Sequence, residues 1–133
     1  MHMKKNWAAL GLLLLCTAGC APIVLLGAGG AAGAAGYKFS QGALLVIYEA
    51  PYMETWDATL LALGGMNLKV KKQQHDITKG KIEAQRSDET SVVISMKYRS
   101  PEETEVSIRV GVFGDKDTSM LIKEEIRKTL FGN

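Results

Sequence analysis

The sequence TSVVISMKYRSPEETEVSIRVGVF, residues 90–113, contains two runs of alternating apolar and polar side chains on either side of a polar turn. Alternation with a period of two is typical of β-strands that bury one face and expose the other. We therefore predict an antiparallel strand pair at residues 90–98 and 104–113. The side chains predicted to point inward are Val92, Ile94, Met96, Tyr98, Val106, Ile108, Val110 and Val112.

The same alternation occurs directly upstream, at residues 67–74 and 80–86. Short polar segments between the runs provide the turns. The inward side chains of these two runs are Leu68, Val70, Ile82 and Ala84. The four strands are predicted to form a meander with one face toward water.

A helix is predicted on each side of the meander. After a strand at residues 42–50, Pro51 is well placed in a first helical turn, and two glycines at residues 64–65 end the helix. Its apolar stripe, at intervals of three and four residues, consists of Met53, Trp56, Leu60 and Leu63. The second helix follows the meander and is capped by Asp115 or Asp117. Its stripe consists of Ile122, Ile126 and Leu130.

The predicted order of elements is β-α-β-β-β-β-α. Such an order folds as an α+β two-layer sandwich, in which two helices cover one face of a five-stranded, mainly antiparallel sheet. About twenty apolar side chains would face inward, enough for a domain of this size. We assign residues 42–133 to this domain.

A segment of a different kind precedes the domain, KKNWAALGLLLLCTAGC at residues 4–20. Two lysines precede an apolar run that is too short to span ~30 Å of hydrocarbon as a helix, and small residues then lead to Cys20. This order is typical of a bacterial lipoprotein signal. We predict a signal peptide at residues 1–19, lipidation of Cys20, and a glycine- and alanine-rich tether at residues 20–41.

Other interpretations of the leader stay open. Residues 7–36 carry no charge, so an uncleaved spanning helix would also fit, although Pro22 and many glycines disfavour it. A plain secretion signal is a third possibility. Small residues at four-residue spacing could form a helix-packing face, but a flexible tether is favoured. Because Ala21 rather than aspartate follows Cys20, we predict the periplasmic face of the outer membrane as the location.

Charge and cysteine content exclude several functional classes. The chain has 16 basic and 14 acidic residues, and 16 minus Lys4 and Lys5 of the signal peptide leaves 14 of each sign. A neutral domain lacks the basic footprint of nucleic-acid binding. Cys16 and Cys20 both precede the predicted domain, so disulfides, thiolate catalysis and cysteine metal ligands are excluded within it.

We predict no catalytic, cofactor-binding or metal-binding residue, and we do not expect an enzyme. His75 beside Asp76 could act as a base or a ligand, but it stands alone in a polar turn. Asp115, Asp117 and Thr118 are similar to the nucleophile loop of haloacid-dehalogenase-type phosphotransferases, but the threonine comes one residue early and a helix cap explains the aspartates better. A calcium loop would need later ligands that the sequence lacks.

Charged residues decorate the predicted water-facing side of the sheet. Glu102, Glu103 and Glu105 straddle a turn, where a solvated charge run is the ordinary explanation. A basic strip could bind lipopolysaccharide phosphates or peptidoglycan carboxylates, but the interleaved Glu83 and Glu105 favour cross-strand pairing. The strip comprises Lys69, Lys71, Lys81, Lys97 and Arg109.

After the lipoprotein signal that ends at Cys20 and the glycine/alanine tract, the chain carries a characteristic set of residues. These are Tyr37, Gly42, Tyr48, Ala50, Tyr52, Trp56, Ala58, Thr59 and Leu60. Two runs are more specific, GKIEA at residues 80–84 and RVGxFGD at residues 109–115, in which position 112 is not part of the pattern. With these residues the chain resembles a family of Gram-negative lipoproteins known as domain of unknown function 3568. The resemblance implies an α+β fold and an envelope lipoprotein, and it supplies no activity because the family has none assigned.

The expected function is that of a lipid-anchored, non-enzymatic envelope protein. Its partners would be the membrane, through the anchor, and an unidentified envelope protein or a second copy of the chain. The alternative is a small-ligand or lipid binder with a pocket between helices and sheet, lined by Trp56 and Tyr98. A hydrolase that uses His75 is a third hypothesis. No cofactor is expected.

Overall fold

The computed structural model of the protein describes residues 34–132. In chain order its elements are β1 (Ala34–Ser40), β2 (Ala43–Tyr48), α1 (Tyr52–Gly65), β3 (Lys69–His75), β4 (Lys79–Gln85), β5 (Ser91–Ser100), β6 (Glu103–Val110) and α2 (Lys116–Phe131). The predicted signal peptide at residues 1–19 and the predicted lipidation site Cys20 lie outside the described residues.

The strands form one antiparallel sheet in the order β1-β2-β6-β5-β4-β3. Helix α1 carries the chain from β2 across to β3 at the far edge, and the meander then returns until β6 lies beside β2. Helix α2 packs next to α1 and against β2 and β6. The predicted α+β class, with an antiparallel sheet and two helices, is confirmed.

The prediction of a five-stranded sheet is wrong, because the sheet has six strands. The additional strand, β1, lies within residues 20–41, the predicted tether. It joins β2 through a two-residue turn in which Gln41 has a φ of 52° and Gly42 a φ of 79°. Hairpin turns with two positive φ angles usually carry asparagine, aspartate or glycine first. Here the first turn residue is Gln41, and a glycine/alanine tract precedes the hairpin. The sequence therefore lacks the usual signal of a hairpin at this point.

Two aromatic side chains hold β1 on the domain. Phe39 packs against the core. The ammonium group of Lys123, on α2, lies 4.2 Å from the ring centre of Tyr37, within the range of a cation–π interaction. The strand is therefore attached by side chains as well as by its ladder with β2.

One core fills the space between the sheet and the helices. Its fully buried large side chains include Tyr48, Leu44, Leu63, Ile82, Ile94, Met96, Ile108, Ile122 and Ile126. The Tyr48 hydroxyl donates a hydrogen bond of 2.8 Å to the Lys123 carbonyl oxygen, so it connects β2 to α2. Burial raises the pKa of this hydroxyl far above its usual value.

Three side chains that the sequence predicts to be inward are exposed in the structure. Tyr98 is 44% exposed, Met53 47% and Val112 84%. Strand β6 ends at Val110, and Gly111 then turns the chain with a φ of 73°. The inward–outward alternation therefore ends before Val112.

Three aspartates fix turns of the domain by accepting hydrogen bonds from the backbone N–H of a threonine. The pairs are Thr78 with Asp76 at 2.7 Å, Thr90 with Asp88 at 3.1 Å, and Thr118 with Asp115 at 3.1 Å. Asp115 is thereby the N-cap of α2. The structure thus selects Asp115 over Asp117 as the helix cap.

The stability of the domain should depend on these three carboxylates at acid pH. Hydrogen bonds from Thr78, Thr90 and Thr118 lower the pKa of the Asp76, Asp88 and Asp115 carboxyl groups respectively. A lowered folded-state pKa contributes stability that is present above the unfolded pKa of about 3.9 and is lost as the pH falls through the folded-state value. We expect the free energy of unfolding to decrease as the pH is lowered below about 4.

Urea unfolding between neutral and acid pH measures this dependence. The variant Asp76→Asn/Asp88→Asn/Asp115→Asn should show a flatter pH profile than the natural chain. Asp117→Asn is the matched control for removal of one carboxylate, because the Asp117 carboxylate accepts no hydrogen bond within residues 34–132. Equal slopes in the triple variant and the natural chain would contradict the assignment.

Candidate interaction site

The turn that follows β6 presents two adjacent apolar side chains to solvent. Val112 and Phe113 lie between Gly111 and Gly114, and the Phe113 side chain is 95% exposed. We call Val112 and Phe113 the apolar tip. Single exposed apolar residues are common on protein surfaces, but two bulky ones side by side in a short turn need a physical account.

The backbone of the tip is packed against the β1–β2 turn. Gly114 has a φ of 83°, and a Cβ there would overlap the Gly42 Cα and carbonyl oxygen and would lie 2.6 Å from the Gly42 carbonyl carbon. A Cβ on Gly42 would in turn lie 2.8 Å from the Phe113 carbonyl oxygen. Two backbone segments from distant parts of the chain therefore touch at positions where only glycine fits.

Arg109 ties the same two turns together. Its guanidinium donates a hydrogen bond of 2.6 Å to the Gln41 carbonyl oxygen and one of 3.3 Å to the Val112 carbonyl oxygen. The base of the turn is closed by the Asp115 backbone N–H, which donates to the Val110 carbonyl oxygen at 2.9 Å. Backbone contacts thus hold the turn that carries the apolar tip, while the Val112 and Phe113 side chains are exposed.

The tip lies at the end of the sheet opposite to the start of β1. Strand β1 pairs Ala34 with Tyr48 at one end and Ser40 with Ala43 at the other, and the Ala43 end also carries the end of β6. A strand of eight residues such as β6 spans roughly 25 Å. The chain therefore enters the domain at one end and displays the tip at the other.

His75 is not the free loop residue that the sequence suggests. It is the last residue of β3, and its ring centre lies 4.5 Å from that of Trp56 and 6.4 Å from that of Tyr52. Its Nδ1 lies 3.3 Å from the Asp76 carbonyl oxygen. In the described part of the chain no hydroxyl or carboxylate forms a hydrogen bond with this imidazole.

Tyr52 and Gly80 complete this aromatic cluster. A Cβ on Gly80 would lie 2.6 Å from Trp56 Cζ3 and 2.7 Å from the Tyr52 hydroxyl oxygen, so the strand needs glycine to accept the rings. The Tyr52 hydroxyl is buried and, within residues 34–132, has no hydrogen-bond partner. Burial and the nearby charge of Asp76 raise the pKa of Tyr52. The cluster packs α1 against the edge of the sheet.

Three of the carboxylates considered as catalytic candidates, Glu103, Glu105 and Asp115, have structural partners. Arg99 lies 3.9 Å from Glu103 and 3.4 Å from Glu105, and Asp115 caps a helix. Among the described residues no three His, Cys, Asp or Glu side chains come together as a metal site. The predicted absence of catalytic and metal-binding residues stays a prediction for the whole chain.

The predicted basic strip is divided by the actual register. A bulge between Val70 and Lys72 displaces Lys71, so that Lys72 lies opposite Glu83. Arg109 bonds to the Val112 and Gln41 carbonyl oxygens at the base of the apolar tip, and Lys81 pairs with Glu83 at 3.1 Å. The sequence analysis also missed Lys79. It predicts a turn at this residue, whereas in the structure Lys79 is the first residue of β4. The position of Lys79 opposite Lys97 could be recognised only once the register of β4 with β5 was known.

No helix within residues 34–132 has the length and hydrophobicity needed to cross a membrane. Among curated proteins none matches this chain. A family model described as a protein of unknown function, DUF3568, matches residues 5–129, which is nearly the whole sequence. The chain therefore belongs to the DUF3568 family.

Proposed function

We propose that this protein is a non-enzymatic binding protein of the bacterial envelope, anchored by an acylated Cys20 to the periplasmic face of the outer membrane. Through its apolar tip it binds another envelope protein that has an apolar pocket. The observation that carries the proposal is the exposed Phe113 side chain on a turn whose backbone is held by Arg109, Gly42 and Gly114.

Energetics favour such a role for the tip. Moving an exposed phenylalanine side chain out of water contributes about 2 kcal/mol. Aromatic side chains at the centre of an interface often carry most of its binding energy. Because the backbone at Phe113 is already held in place, little conformational entropy would be lost when a partner binds.

The two ends of the domain suggest which partner the tip meets. The proposed anchor reaches the domain at the Ala34 end, whereas the tip lies at the opposite end. With the Ala34 end toward the bilayer, Phe113 points away from it. A second copy anchored in the same leaflet would hold its own tip in the same direction. A separate protein, rather than the bilayer or a second copy, is therefore the partner that fits.

The alternative of a pocket between helices and sheet finds no support in the core packing. Trp56 lies over Gly80 and is almost fully buried, while Tyr98 is partly exposed. The large side chains between the two layers are closely packed, with many of them fully buried.

Crosslinking from the tip tests the proposal in the full-length protein in its native envelope. A photoreactive amino acid at position 113 should form one discrete adduct with another protein. The matched control is position 77, because Ile77 is 87% exposed in a turn at the other end of the sheet. Phe113→Ser should change the free energy of unfolding by no more than about 0.5 kcal/mol, while Val112→Ser should reduce the adduct formed from position 113.

Several outcomes would overturn the assignment of a protein partner. Adducts of equal yield at positions 77 and 113 would mean that the tip is no specific site. An adduct with lipid alone would mean that the tip enters the bilayer, and one with twice the chain's mass would indicate self-association. Fatty-acid labelling of the natural chain and of Cys20→Ser tests the anchor separately, so failure of the anchor and failure of the tip can be distinguished.

A further inference from the structure

The second feature that calls for a ligand is a depression on the face of the sheet that the helices leave uncovered. It has a volume of ≈ 420 Å³ and lies at the end of the sheet where β1 begins. Its lining includes Lys79, Lys81, Lys97, Gln74 and Ser95. Three cationic side chains therefore surround one small concave surface.

The strand register places two of these lysines directly opposite each other. Lys79 of β4 pairs with Lys97 of β5, and the next residues on the same face are Lys81 and Ser95, which are also paired. Side chains directly opposite in an antiparallel pair have Cβ atoms about 5 Å apart, and like charges there are destabilising. The register thus places two lysine side chains side by side on one face of the sheet, an arrangement that like charges disfavour.

The carboxylates nearby are already engaged. Glu105 lies opposite Lys97 on the other side, but its carboxylate bonds to Arg99 at 3.4 Å. Glu83 pairs with Lys81 at 3.1 Å. Within residues 34–132, no carboxylate lies within ion-pair distance of either Lys79 or Lys97.

Asp76 also borders the depression. Its carboxylate forms hydrogen bonds within the β3–β4 turn. One of its oxygens accepts hydrogen bonds from the Thr78 backbone at 2.7 Å, the Thr78 hydroxyl at 3.0 Å and the Lys79 backbone at 2.9 Å. The side chain is thus held in the β3–β4 turn, where its negative charge also interacts with Lys79. Lys81 of the predicted basic strip pairs with Glu83 on its own strand, whereas no ion pair within residues 34–132 accounts for Lys79 opposite Lys97.

We propose that this depression binds a phosphate group, with Lys79 and Lys97 as its main ligands. A phosphate monoester carries a charge of about −1.5 to −2 at neutral pH and three acceptor oxygens, so it neutralises two ammonium groups where a carboxylate neutralises one. Ser95 and Gln74 supply neutral hydrogen-bond donors at the same surface. The ligand is either a soluble phosphate ester or a phosphate on a lipid headgroup.

Lysine footprinting of the full-length protein tests the site. Acetylation of each lysine is measured by mass spectrometry, with Lys116 and Lys128 as internal controls on α2. Inorganic pyrophosphate should protect Lys79 and Lys97 several-fold and leave the two control lysines unchanged. Vesicles of phosphatidylcholine, prepared with and without phosphatidate, test whether the phosphate belongs to a lipid. If it does, only the vesicles that contain phosphatidate should protect Lys79 and Lys97. Added pyrophosphate should then compete with the vesicles and reduce their binding.

A pair of matched variants separates a ligand site from a structural role. Lys79→Gln/Lys97→Gln removes the repulsion, so its unfolding temperature should not fall, while the stabilisation by pyrophosphate should be lost. Lys116→Gln/Lys128→Gln changes the net charge equally and should retain that stabilisation. The soluble measurements depend on neither Cys20 nor the apolar tip.

Clear outcomes would overturn the phosphate site. Equal protection of all four lysines would indicate general screening, and equal protection by citrate would show that the site does not select phosphate. Absence of protection by both pyrophosphate and phosphatidate would remove the site altogether.

Discussion

Replacing Gly114 with alanine should lower the free energy of unfolding by about 3 kcal/mol. The new Cβ would overlap backbone atoms of Gly42, which cannot move aside as a flexible side chain can. The positive φ of 83° adds further strain for any residue with a Cβ. Urea unfolding of the full chain, followed by far-ultraviolet circular dichroism, measures the loss.

Gly111→Ala is the matched control for this prediction. Gly111 lies in the same turn with a φ of 73°, but the nearest atom to a Cβ there is the Thr90 methyl group at 3.6 Å, an ordinary contact. Its replacement should cost only the backbone strain, about 1 kcal/mol. If the two variants lose the same stability, the close approach of the two turns is not real, and the preformed tip loses its main support.

The second large effect should come from Trp56→Ala, which we expect to cost about 3 to 5 kcal/mol. The indole is almost fully buried and packs against His75 and Gly80. Met53→Ala, one turn earlier in α1, is the control, because Met53 is partly exposed and its truncation should cost much less. Comparable losses in both variants would contradict the observed orientation of α1.

A double-mutant cycle then tests the contact itself. Gly80→Ala alone should cost about 1 to 3 kcal/mol, because its Cβ would press against Trp56 and the Tyr52 hydroxyl. In the Trp56→Ala background part of that space is empty, so the same substitution should cost less. Additive effects would show that Gly80 is not in contact with the indole.

The two proposed sites lie at opposite ends of one sheet. The phosphate site is at the end where the chain enters the domain, and the apolar tip is at the other end. With Cys20 acylated, the first would be near the bilayer and the second would face away from it. The domain would then serve as a spacer that holds a protein contact at a set distance from the membrane.

Much of the fold could be predicted because its signals are local. The alternation at residues 90–113 depends on neighbouring side chains and indicates strands directly. The cap of α2 depends on Asp115 and Thr118, three positions apart. The glycine/alanine tract misled the prediction, since the attachment of β1 depends on Tyr37 and on Lys123, which is distant in the chain.

The candidate sites were less accessible to sequence reasoning. Gly42, Gly114 and Phe113 all belong to the pattern that carries the family resemblance, but nothing in their spacing shows that two of them touch. Lys79 opposite Lys97 depends on the pairing of β4 with β5. A shift of one residue in that pairing would send one of the two lysines to the other face.

By itself the sequence determined the α+β class, the meander of four strands and the helices on either side of it, because period, caps and turn residues act over a few positions. Only the tertiary structure decided that β1 joins the sheet, that Arg109 and two glycines hold Phe113 outward, and that two lysines meet across strands. Those features depend on strand register and on contacts between turns that are distant in the chain. A pattern over a few neighbouring residues predicts neither of them.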